Sequence, residues 1–284
     1  MSWEKLRSSG RNGTGNWNGF DIPLEKIFLA AEKWKTATGN NDKLWLCWNI
    51  SDEWSLLQQR MIKAVGWTPV VGYDPNCRPS KLQTIEGAIF IDFAADLGLE
   101  VMWPHFPLEF SFLWARKLAF WHADLVMTMD VMKNTTRAFE ELRDGEMAAV
   151  FSTAGLRNFF RTKRHRYWEL IGCTTESASR HQFETGCGWW RHFEDHPNTK
   201  PDEYATKKAY YYDSGVGIAY WEKKYRRRIV RLSERIYVPG HCSEIGHPNY
   251  IKSAHKGSEL DLNFKINDVA RNFGLERYLD NSSK

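Results

Sequence analysis

Asp130 follows the apolar run Leu125, Val126, Met127 and Met129. A carboxylate at the end of a buried strand lies at the edge where open α/β sheets hold their ligands. Oxygen ligands there would bind a hard divalent cation, a Lewis acid suited to a leaving phosphate. Capping the turn into residues 131–136 is the other use open to Asp130. Two histidines, His241 and His247, flank Cys242 and Glu244 in a segment bounded by Pro239, Gly240, Gly246 and Pro248. Imidazoles on such a loop are candidate ligands for a first-row metal. His241 is preferred, although the spacing does not separate it from His247 and a surface role stays open for both. Glu194 and Asp195 lie between His192 and His196, just after Gly186-Cys-Gly-Trp-Trp190. A carboxylate so placed suits a general base with a tuned pKa, and a solvated acidic loop equally. Trp189 and Trp190 could wall a sugar or base, with Gly188 permitting close backbone approach. Packing in the core is the other role for these rings.

The elements that must position these residues follow from apolar spacing. Leu24, Ile27, Phe28, Ala31 and Trp34 predict a helix over 23–36. Residues 44–50 read as a compact strand, Ser51 or Asp52 as the cap of a helix over 53–65, Gly66 as its terminator, and 67–73 as a second strand. Strand, helix and strand in so short a span predict a parallel βαβ unit. Asp74, at the end of that second strand, is a candidate to bind a ribose hydroxyl by the logic of dinucleotide folds. Residues 88–93 fit strand or helix. A strand is expected over 99–103, a helix over 109–122, the Asp130 strand after it, a helix over 135–143 and a strand over 147–152. This alternation predicts an α/β domain with a mostly parallel, doubly wound sheet and helices on both faces. Beyond 152 the pattern becomes irregular: a basic aromatic helix over 158–171, a strand and turn over 210–220, a charged helix over 220–234 and a last amphipathic helix over 266–279. Residues 1–19 read as a flexible polar arm and 20–284 as one domain whose pattern changes at 152.

A chain of 284 residues can bury a large core in one such domain. The net charge of +4 is too small to require a nucleic-acid partner. Its distribution is more telling, with basic runs at Arg157, Arg161, Lys163, Arg164 and Arg166 and at Lys223, Lys224, Arg226, Arg227, Arg228 and Arg231. Solvated helix faces are the ordinary use of such runs; contact with a polyanion or a nucleotide diphosphate is the other. The 5 cysteines contain no Cys-x-x-Cys pair, which argues against a zinc knuckle and for reduced thiols. The polar start lacks an apolar signal core, and no apolar run is long enough to span a membrane. A soluble, cytoplasmic protein is therefore expected. No Gly-x-x-x-x-Gly-Lys, Gly-x-Ser-x-Gly or His-Glu-x-x-His motif occurs.

Thr128-Met129-Asp130 resembles, in degenerate form, the Asp-x-Asp motif of GT-A type nucleotide-sugar glycosyltransferases, with Thr128 in place of the first acid. The resemblance covers residues 44–250 and rests on element order, Asp130 and the late histidine loop. It implies a GT-A-like (Rossmann-like) fold, with a nucleotide-sugar-binding half over 20–152 and an acceptor-binding half with the C-terminal His loop over 153–284, and transfer of a sugar from a UDP-sugar or GDP-sugar to a hydroxyl acceptor. The resemblance further implies that Mn2+ or Mg2+ is held by Asp130 with His241 or His247. Asn49, Ser51 and Asp52 would face the donor nucleoside, Arg116 on its helix would face the donor, and Asp195 or Glu194 would be the base of an inverting reaction. A hydroxymethylated DNA base, a glycan or a protein hydroxyl could accept the sugar. Two other classes remain open: a non-catalytic nucleic-acid-binding protein, and a metal-dependent phosphoester hydrolase built on Asp130, His192, His196, His241 and His247.

Overall fold

The computed structural model describes residues 6–8, 20–22, 24–39, 41–73, 83–99, 102, 104–151, 167–185, 187–189, 215–242 and 266–279, and structural statements below concern these. The strands in chain order are β1 (Leu6–Ser8), β2 (Phe20–Ile22), β3 (Leu44–Asn49), β4 (Thr68–Tyr73), β5 (Ile89–Phe90), β6 (Lys117–Trp121), β7 (Met147–Phe151), β8 (Tyr167–Thr175) and β9 (Ile229–Ser233). The first two form a small antiparallel ribbon; the other 7 form one sheet in the order β5-β4-β3-β6-β8-β7-β9. β3 pairs in parallel with both β4 and β6, and β7 with β9. β8 is antiparallel to its two neighbours, β6 and β7. It alone runs against the common direction, so the sheet is mixed but mostly parallel.

Strand alternation feeds two cores. Leu44, Leu46 and Trp48 of β3 and Leu118 and Phe120 of β6 face one side. They meet Ile27, Ala30, Ala31 and Trp34 of the helix Leu24–Thr38, and Ile218 and Trp221 of the helix Val216–Tyr225. Trp45, Cys47, Ala119 and Trp121 face the other side. There they meet Trp54, Leu57, Met61 and Ile62 of the helix Asp52–Ala64 and Met132 and Phe139 of the helix Met129–Glu140. Each large apolar side chain withdrawn from water in this way contributes roughly 1.5–3 kcal/mol. Both faces are thus covered, as parallel strands require.

The predicted βαβ unit over 44–73 and the first helix are present. The segment before Asp130 is not as predicted. Instead of one helix over 109–122, there is a short helix, His105–Glu109, a 3-10 turn, Ser111–Leu113, and then β6. A strand buried on both faces is an unbroken apolar run, so residues 117–121 extend the helical spacing of the preceding aromatics by coincidence. The run 125–128 is a loop rather than a strand, and Met129 and Asp130 open the helix Met129–Glu140. Leu99 and Met102 belong to no strand. Tyr167–Ile171, read as the end of a basic helix, begins β8; the rest of that stretch, 158–166, lies outside the described residues. The helix expected over 220–234 stops at Tyr225, where Arg226 adopts left-handed φ, and Ile229–Ser233 is the edge strand β9. Dense Lys and Arg hid that strand, and Ile229 and Leu232 sit at a spacing that also suits a helix. No described helix is long and apolar enough to cross a membrane.

The helix Glu176–Thr185 begins directly after β8 and is held by a carboxylate from another turn. Asp144 accepts hydrogen bonds from the backbone N–H and the hydroxyl of Ser177. The Ser177 hydroxyl bond holds the Asp144 carboxyl below its ordinary 3.8, against the opposing effect of burial. A depressed folded-state pKa gives stability that is present above the unfolded value and lost as pH falls through the folded one. Asp144→Asn should therefore cost about 0.5–1 kcal/mol near neutrality, at the low end for a cap because the group is largely exposed. In urea unfolding, the difference between wild type and variant should close on the acid side of pH 3.8.

Candidate metal centre

From β3 the chain moves to β4 on one side and later returns to β6 on the other. Between β3 and β6 the winding reverses, and the C-terminal ends of such a pair border the crevice where open α/β sheets bind ligands. At the end of β6 the chain continues as His122-Ala123-Asp124. The backbone N–H of His122 donates to the Leu170 carbonyl at 2.9 Å, carrying the β6–β8 ladder one step further. Gln58, fully buried on the helix Asp52–Ala64, then clamps the loop: its amide donates to the carbonyls of His122 (2.9 Å) and Leu125 (2.8 Å).

A distant segment pairs with this loop. Leu125 and His241 form an antiparallel bridge, Val126 N–H donates to Gly240 O at 3.0 Å, and Cys242 N–H donates to Asp124 O at 2.9 Å. Gly240 is required for this approach, since a Cβ there would collide with the Val126 carbonyl. The pairing puts the His241 ring beside His122 and Asp124. His122 Nδ1 lies 3.2 Å from His241 Nε2 and 3.6 Å from Asp124 Oδ1, and His241 Nε2 lies 3.3 Å from Asp124 Oδ1. The corners of such a triangle are each about 2 Å from a common point, the length of a metal–imidazole or metal–carboxylate bond. Among the described residues these three form the group able to hold a metal ion. The site is open to one side, because 34% of the His122 side chain remains exposed. Two imidazoles and a carboxylate leave further coordination positions for a substrate or water.

A second carboxylate lies behind the triangle. Glu169 Oε1 is 3.7 Å from His122 Nε2 and 3.5 Å from His105 Nε2, within ion-pair reach of both rings. Burial alone would raise the carboxyls of Asp124 and Glu169, but the neighbouring imidazoles override it and hold both well below their ordinary range. Burial would likewise lower the His122 imidazole, yet the carboxylates of Asp124 and Glu169, at 3.6 and 3.7 Å, raise it. Two ionised carboxylates in a largely enclosed cluster need compensating positive charge. Protonated imidazoles supply it here, and a divalent cation among neutral imidazoles would supply it equally, so the donor set is compatible with a metal in distance and in charge.

The residues singled out from sequence fall in several places. His241 is in the triangle; His247 lies outside the described residues. Asp130, proposed as the carboxylate at the sheet edge, is instead an exposed residue in the first turn of the helix Met129–Glu140, where a negative charge suits the helix dipole. Thr128 is the N-cap of that helix and accepts from Val131 N–H at 3.4 Å. Both therefore serve the helix start, and the carboxylate at the end of the strand is Asp124. Arg116 is an exposed residue in the bend before β6, at the opposite end of that strand from His122, rather than on a helix facing the crevice.

Asn49, Ser51 and Asp52 do lie at the end of β3. Asn49 is fully buried; its amide donates to Asp52 Oδ1 at 3.0 Å, while its Oδ1 has no hydrogen-bond partner among the described residues. Ser51 occupies the N-cap position without making a side-chain cap bond. Trp189 is 2% exposed, with its ring edge-on against Phe120, so it is a core residue and offers no free face to an acceptor. Its backbone N–H donates to the buried Glu109 carboxylate, against which Gly188 also packs. Asp74, Trp190, Glu194 and Asp195 lie outside the described residues.

His122, Asp124, Glu169 and His105 were not anticipated. A signal for the first two exists: His122 and Asp124 are metal-ligating types two positions apart, in the turn directly after an apolar run. The clamp on that segment is open to test. Gln58→Leu would leave the carbonyls of His122 and Leu125 without the amide, a loss of about 1–3 kcal/mol per unsatisfied group. Denaturant unfolding should show the variant destabilised on that scale.

Comparison with known proteins finds no family model, no curated protein and no solved structure that matches this chain.

Proposed function

We propose that this chain is a metal-dependent glycosyltransferase of GT-A-like architecture, taking its sugar from a nucleotide-diphosphate donor. The observation that carries the reading is the His122–Asp124–His241 triangle at the C-terminal end of β6, beside the reversal of winding between β3 and β6. In such a transferase the bond between the sugar's anomeric carbon and the diphosphate breaks, a bond to the acceptor oxygen forms, and the acceptor's proton passes to a base. The departing nucleoside diphosphate carries away the electron pair and its negative charge. A cation bound at the triangle would neutralise that charge.

The chain's own residues have matching parts. Asp124 supplies the charged oxygen ligand, and the two imidazoles favour manganese over magnesium, which prefers oxygen-rich ligand sets. Asn49, at the end of the neighbouring strand, carries a buried acceptor suited to an N–H or O–H of the donor's nucleoside, with Ser51 and Asp52 next to it. Asp195 or Glu194 remains the proposed base for an inverting reaction. The acceptor is a hydroxyl, on a glycan or on a hydroxymethylated DNA base, for which the Arg157–Arg166 run would supply phosphate contacts.

Thermal unfolding with UDP or GDP, with and without Mn2+, tests the reading. Ligand at a hundredfold excess over its Kd adds about 2.7 kcal/mol, a rise of several degrees in Tm. The rise should require Mn2+ and vanish in Asp124→Ala, together with metal-dependent donor hydrolysis. If neither nucleotide raises Tm in the presence of Mn2+, the transferase reading fails. Mn2+-dependent cleavage of a phosphodiester without that rise would replace it with a hydrolase.

A further inference from the structure

We infer that Glu169 is the positioning residue of the metal centre, fixing the orientation and proton placement of His122 from behind. The inference rests on the metal-centre reading. The two nitrogens of the His122 ring are divided between two surroundings. Nδ1 faces the triangle, 3.2 Å from His241 Nε2 and 3.6 Å from Asp124 Oδ1, and Nε2 faces Glu169 Oε1 at 3.7 Å. An imidazole ligates through the nitrogen that bears no proton, so ligation through Nδ1 requires the proton on Nε2. A carboxylate within ion-pair reach of Nε2 favours the tautomer with the proton there, restrains the ring, and makes the ligating nitrogen a stronger donor to the cation.

The backbone explains why Glu169 is there. β8 is the one reversed strand, so its first residues lie at the edge where β6 ends. The pairing of Trp121 with Ile171, continued by the bond from His122 to Leu170, brings Glu169 alongside the His122 turn. The carboxylate also has a second ring within ion-pair reach: His105, buried at the start of the helix His105–Glu109, lies 3.5 Å from the same Oε1. A residue needed only to neutralise His122 would have no use for a second ring. The chain His105–Glu169–His122 orders the ligand from the sheet outward, and its outer end is the exposed triangle.

The experiment measures Mn2+ affinity of the full chain through the electron paramagnetic resonance signal of free Mn2+, with the visible spectrum of the Co2+-loaded protein as a report on ligand geometry. Glu169→Gln keeps the shape and removes the charge; Glu169→Asp keeps the charge and draws it back. Both should weaken Mn2+ binding about 10–100-fold and alter the Co2+ spectrum, with circular dichroism unchanged. Glu146→Gln, which breaks the ion pair with the exposed Arg228 away from the centre, should leave both readouts as in wild type. Wild-type affinity in Glu169→Gln and Glu169→Asp would overturn the positioning role while leaving the metal centre intact. Loss of folded structure in both would overturn it too, making Glu169 a requirement of the fold. Absence of Mn2+ and Co2+ binding in the wild-type chain would remove the metal centre itself.

Discussion

Six strands of the main sheet share one direction, and they are joined into one sheet only through the seventh, β8, which lies reversed between β6 and β7. Its ladders carry the hydrogen bonding from the β5-β4-β3-β6 half to the β7–β9 pair. Because β8 is reversed, it brings its first residues, not its last, to the edge where its neighbours end. Backbone polar groups buried in a two-faced core must be paired, and β8 does this for one side of both β6 and β7. The candidate site inherits its geometry from that pairing: the turn after β6 is fixed on one side by Leu170, on another by Gln58, and on a third by the segment around His241.

The parts legible in the sequence were those whose local signal agreed with their tertiary role. The βαβ unit over 44–73 has a compact strand, a helix with one apolar stripe and a glycine stop, and it folds as its pattern predicts. The Asp130 region was misjudged because β6 is covered on both faces. Leu118 and Phe120 serve one core and Ala119 and Trp121 the other, so the strand has no alternation to announce it, and it merged with the aromatic helix before it. That error moved the expected strand end from Trp121 to Met129 and with it the expected sheet-edge carboxylate from Asp124 to Asp130. His241, which lies in the candidate triangle, was noticed because a histidine in a Gly/Pro loop needs no register to stand out. Glu169 and His105 were beyond reach, since their meeting depends on the reversal of β8, which no local pattern encodes.

The tryptophans show the same division between composition and placement. Their abundance, 14 in the chain, fits core and rim packing first and ring-binding platforms second. Trp34, Trp45, Trp48, Trp54, Trp67, Trp114, Trp121, Trp189 and Trp221 are all buried. Trp45 alone packs its ring near those of Trp67, Trp121 and Phe139. Large rings fill the layer between sheet and helices where small side chains would leave voids, so here the rings build the support of the crevice.

The pairing of residues 124–126 with 240–242 has a consequence for the chain as a whole. The two sides of the triangle come from segments far apart in sequence, and between them run β7, β8, β9 and the helices that accompany them. A cation shared by Asp124 and His241 would therefore be a staple across a long chain loop, and closing such a loop removes entropy chiefly from the unfolded chain. Occupancy of the centre would then slow opening of the second half of the molecule, so that hydrogen exchange from β9 and its neighbours would respond to a ligand bound at the end of β6.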